Sequence, residues 1–195
     1  RFVIAIGQAI FLVLFLILYG DCIAARQRIG AVYFFSRISN RKKWILKEFV
    51  WLLFYSVLYT FCFVGMHMIF SIWGSSEANL SGTLFKVAFQ IGLFLTLLLF
   101  EMAVLCNLFC AAGGSAIGIL LSMLCVIGLI MWSTAEVDGV VSEMINPMWL
   151  SADIIENGGS YIQKIIIVFL QTAICAVGTG YYLAKRDLFA REGEG

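Results

Sequence analysis

Residues 84–110 read LFKVAFQIGLFLTLLLFEMAVLCNLFC. Only Lys86 and Glu101 in this stretch carry a charge, and the apolar residues run on without the alternation of a half-buried strand. As a helix rising 1.5 Å per residue it extends about 40 Å, more than the roughly 30 Å hydrocarbon core of a bilayer. Lipid offers no partner for backbone N–H and C=O groups, so such a run must pair its own backbone as an α-helix. Four further runs share the property, at residues 2–19, 49–73, 115–132 and 161–183. The predicted fold is an all-α integral membrane protein, one domain over residues 1–195 with five visible spans.

Composition agrees with this expectation. Of 195 residues 62% are hydrophobic and 13% charged, against about a quarter charged in a soluble domain. That leaves too little polar surface to coat a globule in water. The net charge of +1 gives no reason to expect a nucleic-acid partner. The six cysteines sit mostly inside apolar runs and form no Cys-x-x-Cys pair, unlike a secreted disulfide framework. Cys106 and Cys110 share a helix face at i, i+4, half of a metal site, but no further ligand lies at matching depth. No metal is expected, and no nucleotide-binding fingerprint is present.

Charge distribution predicts the orientation. Between the first two spans, the loop 21–48 holds Arg26, Arg28, Arg37, Arg41, Lys42, Lys43 and Lys47, and the C-terminal tail adds Lys185, Arg186 and Arg191. Four crossings separate these regions, which puts them on one side; by the positive-inside rule that side is cytoplasmic. The opposite side carries Glu77, Glu136, Asp138, Glu143, Asp153 and Glu156. Localisation in a bacterial plasma membrane, multi-pass with a cytoplasmic C-terminus, is the expectation. Arg1 then starts outside, which is natural if a sixth span precedes it in a longer chain.

Several segments invite a functional reading. The loop 21–48 mixes its basic residues with Ile29, Val32, Tyr33, Phe34, Phe35, Ile38 and Trp44, the pattern of helices lying along a membrane surface. Ser39 and Asn40 are good N-caps, so a helix is predicted to start just after Asn40. The loop either touches anionic lipid or docks a cytoplasmic partner. The outer loop 133–160 gathers Met144, Ile145, Met148, Trp149 and Leu150 around Pro147, as in a re-entrant segment. Glu101 is the one carboxylate deep in a span, about 13 Å from the inner end nine residues on. His67, the sole histidine, lies about 12 Å further out and is not expected to meet it. Gly114 and Gly118 form a small-xxx-small pair that permits close helix approach.

Five spans of six, a basic amphipathic loop, a near-absent fourth connection and an outer re-entrant-like segment together resemble an ABC-2-type transporter permease. The segment Phe35-Ser36-Arg37-Ile38-Ser39-Asn40-Arg41-Lys42-Lys43-Trp44 is similar to the cytoplasmic loop of small Gram-positive members found near bacteriocin and lantibiotic export or immunity systems. The ending Tyr181-Tyr182-Leu183-Ala184-Lys185-Arg186-Asp187-Leu188-Phe189 also looks like the close of such a permease. The resemblance implies a half-transporter that dimerises with a second copy or a homologous permease. It also implies a separate cytoplasmic ATPase that binds ATP and Mg, and no cofactor or catalysis in this chain. The coupling segment would be Arg37, Ser39, Asn40, Arg41, Lys42, Lys43 and Trp44, and Glu101 and His67 are candidates for the translocation pathway.

Two rival classes stand beside it. A membrane enzyme needs reactive groups clustered at one depth, which one histidine and one deep carboxylate do not supply. A non-transporting sensor or assembly protein would use the same basic loop to dock some other cytoplasmic partner. Apolar spans favour an amphipathic substrate, such as a peptide, lipid or drug, over a small ion.

Overall fold

The computed structural model describes residues 2–30, 41–74, 82–134 and 161–185. They form six helices: α1 Phe2–Tyr19, α2 Cys22–Gly30, α3 Arg41–Gly74, α4 Gly82–Gly113, α5 Ser115–Thr134 and α6 Tyr161–Lys185. No strand occurs among the described residues. Five stretches are long and apolar enough to cross a membrane: Ala9–Arg28, Arg41–Phe70, Phe85–Gly113, Ser115–Trp132 and Gln163–Lys185. The first of these windows runs across the turn at Gly20 and Asp21. The continuous element there is α1, whose 18 residues reach about 27 Å.

α4 is the axis of the bundle. It packs against each of the other five helices, and 67% of its apolar window is buried, compared with 17% in α5 and in α6. Phe94, Leu98, Leu99 and Val104 are closed off from the surface. The outer faces remain apolar and bare, with Phe61, Trp73, Phe89, Ile174 and Val177 all more than two-thirds exposed. Water solvates so continuous an apolar surface poorly. α1 and α3 meet through aromatic rings: Phe11 lies 4.9 Å from Tyr59 and 4.2 Å from Phe63, and Tyr19 stacks on Tyr55 at 5.0 Å.

Two features depart from the sequence expectation. α3 begins at Arg41, eight residues before the predicted span start at residue 49. Its basic first turns continue straight into the apolar run and do not form a separate surface helix. No glycine or proline stands between Arg41 and Val64 to break it, and its 34 residues extend about 51 Å. Helix within the stretch 21–48, in α2 and from Arg41, just after Asn40, agrees with the amphipathic helices expected there. Finally, the two glycines of the small-xxx-small pair have different jobs. Gly114 has φ +98° and turns the chain from α4 into α5. A Cβ on Gly118 would run into the backbone nitrogen and Sγ of Cys110, so Gly118 alone provides the close approach. Arg1, residues 31–40, 75–81, the re-entrant-like residues 135–160 and the tail from residue 186 lie outside the described residues, as do all six outer acidic residues.

Candidate functional site

One end of the bundle gathers α2, the start of α3, the turn from α4 to α5 and the end of α6. It is stitched by polar side chains. Asn107 on α4 is fully buried, and its Oδ1 accepts hydrogen bonds from the backbone N–H groups of Ile23 at 2.9 Å and Ala24 at 3.1 Å. These are first-turn donors of α2, which have no partner within their own helix. Asn107 thus acts as an N-cap supplied by another helix, and its Nδ2 is satisfied in turn by the Ala103 carbonyl at 2.8 Å. The chain reaches this position through Gly20, whose missing Cβ would lie 2.8 Å from Cys106 Sγ.

The other end of α2 is held by its arginines. Arg28 donates to Ser115 Oγ at 2.8 Å and to the Cys110 carbonyl at 3.4 Å. A guanidinium at the last turn of α4 suits the carbonyls and dipole exposed there. Arg26 pairs with the buried carboxylate of Glu48 on α3. α2 is therefore fixed at its first turn to α4, and towards its last to α3, α4 and α5. Beside it, Lys42, Lys43 and Lys47 project from the first turns of α3, exposed, while Arg41 and Trp44 are half-buried. Farther along, Phe49 packs edge-on to Phe100 of α4 and lies 3.3 Å from where a Cβ on Gly180 of α6 would stand.

The coupling residues inferred from the sequence divide accordingly. Arg41, Lys42, Lys43 and Trp44 form the first turn of α3. Arg37, Ser39 and Asn40 lie outside the described residues. Gly30 closes α2 and Arg41 opens α3, with residues 31–40 between them.

Glu101 lies two turns up α4 from Asn107, buried, against α6. Thr172 Oγ1 stands 3.4 Å from its Oε2, and Cys175 Sγ 3.8 Å from its Oε1. Thr172 has one hydroxyl proton, and the Val168 carbonyl takes it at 2.8 Å, so its hold on the carboxyl is the weaker of the two contacts. Thr172, Cys175 and Thr179 repeat on the face of α6 that carries the buried Val168 and Leu183, a narrow polar seam. His67 is exposed on α3 with its ring 4.4 Å from Phe63. The structure does not bring His67 and Glu101 together.

Asn107 escaped the sequence reading. An uncharged amide in a 27-residue apolar run is quiet on a hydropathy scale, although its burial demands partners as surely as that of a charge. Cys106 and Cys110 are both buried, with sulfurs 3.9 Å apart. Among the described residues no three metal-ligating side chains come together. The chain matches no family model, no curated protein and no solved structure.

Proposed function

We propose that this chain is the membrane-spanning permease subunit of an ATP-driven ABC transporter, and that it exports an amphipathic substrate such as a peptide, lipid or drug. The observation that carries the reading is the fixed basic shelf at one end of the bundle. α2 and the first turns of α3 project a cationic surface, and the bonds beneath it tie that surface to the central helix. A lipid anchor needs positive charge near headgroups and nothing more. A segment that passes on a push from a partner must also be stiffly joined to what moves. Asn107, Arg28 and the Arg26–Glu48 pair provide that joint.

In this reading the shelf faces the cytoplasm and receives an ATPase, which holds ATP and Mg. The ATPase displaces α2 and α3, and α4 carries the displacement inward to the Glu101 contact with α6. A second permease, identical or homologous, completes the pathway.

The test is affinity purification of the full chain from its native membrane. An ABC ATPase should copurify, and charge reversal at Arg41, Lys42 and Lys43 should abolish its capture while leaving the permease monodisperse. Capture of a non-ATPase cytoplasmic protein by the same basic residues would replace the permease with the sensor or assembly reading. An ATPase retained by the reversed variant would remove the shelf from the docking surface.

A further inference from the structure

Apart from any transport role, the C-terminal part of α4 holds a pair of thiols for which the shelf and the Glu101 contact have no use. Cys106 and Cys110 stand one helical turn apart on α4 with their sulfurs 3.9 Å from each other, and both are buried. Two neighbouring elements come in without side chains. A Cβ on Gly20 would lie 2.8 Å from Cys106 Sγ, and one on Gly118 would overlap Cys110 Sγ. Backbone approaches each sulfur closely, the Ser122 hydroxyl also lies beside Cys106, and the two sulfurs are in direct contact. All six cysteines are free thiols.

We propose that Cys106 and Cys110 form a binding site for a single thiophilic monovalent ion of the copper(I) class. The donor set selects the metal. Structural zinc takes four ligands, and calcium and magnesium take oxygen, whereas a soft ion is served by thiolates alone. With metal–thiolate bonds of about 2.3 Å, sulfurs 3.9 Å apart subtend an angle of roughly 116° at a shared ion. A straight S–metal–S arrangement would need the sulfurs about 4.6 Å apart, a separation that rotation of the two side chains would have to supply on binding.

Charge is also accommodated. Two thiols give up two protons to solvent as the ion enters, leaving a bis-thiolate complex of net charge −1. The guanidinium of Arg28, 3.4 Å from the Cys110 carbonyl, carries the opposite sign and offsets the carboxylate of Asp21, which also faces the pair. Without metal, each thiol proton has a carbonyl acceptor: Cys106 Sγ is 3.9 Å from the Gly118 oxygen and Cys110 Sγ 3.7 Å from that of Ser115. The thiols are therefore satisfied without the ion.

The experiment uses the full chain in detergent micelles with Cys22, Cys62, Cys125 and Cys175 all changed to Ser. Copper(I) is supplied anaerobically from its bicinchoninate complex. One ion per chain should transfer, with a sulfur-only X-ray absorption signature. Because the second thiolate acts as an intramolecular ligand, Cys106→Ser or Cys110→Ser in this background should weaken binding about 100-fold. Binding is read only on protein that elutes as a single species, so a misfolded variant is not scored as a lost site; a Cys→Ala exchange at the same position then supplies the measurement. Failure of the two-cysteine chain to take copper from the chelator would overturn the proposal. So would unchanged affinity in either single-thiol variant.

Discussion

The two polar regions of the bundle differ in how tightly they are made. At the basic end, Asn107 engages α2 with bonds of 2.9 and 3.1 Å and Arg28 reaches Ser115 at 2.8 Å. Around Glu101 the contacts to α6 are 3.4 and 3.8 Å, from a hydroxyl with a shorter commitment elsewhere and from a thiol. Both regions sit on α4 and are built from polar groups in an apolar bundle. The first binds helices into one piece. In the second, a carboxyl meets its neighbour through two longer contacts. On the permease reading, a helix that moves past others needs both kinds of joint.

The contrast can be broken most severely at the α4–α5 contact. Gly118→Val puts side-chain atoms into the Cys110 backbone and should cost about 3 kcal/mol through forced separation of the helices. Thermal unfolding in micelles reads this directly, and a variant that melts with the parent would show that the approach is not needed. Asn107→Ala comes next. It leaves two buried N–H donors of α2 unpaired, a loss of about 2 kcal/mol. Hydrogen exchange should then speed up at Ile23 and Ala24 while α6 stays protected; equal acceleration in both would erase the distinction drawn between the regions. The smallest effect on stability is expected from Glu101→Gln, below about 1 kcal/mol given contacts of 3.4 and 3.8 Å. On the permease reading this variant keeps its ATPase and loses transport. Unchanged transport would make Glu101 a purely structural group.

Much of this architecture was legible in the residues because the apolar runs are long. Residues 2–19 coincide with α1, and 115–132 and 161–183 fall short of α5 and α6 by two residues each at one end. The start of α3 was not legible in hydropathy, which marks where a chain becomes apolar, and a helix does not end at its first lysine. Asn40 did foreshadow it, through the preference of its side chain for the position before a helix. The separation of His67 from Glu101 followed from helical rise alone. The cap provided by Asn107 could not be read, since it joins positions 84 residues apart and depends on which face of α4 meets the turn after α1. Nor could Arg28 be distinguished from the other cations of the loop, because its partners belong to a turn that only the packed bundle creates.

The turn at Gly114 has a consequence for how the molecule is made. A single residue separates α4 from α5, so the two helices form a tight antiparallel hairpin. On the permease reading the two are delivered by the insertion machinery as one hairpin, with Gly118 already seated against Cys110. The close approach of Gly118 to Cys110 would thus be made before α6 has left the ribosome.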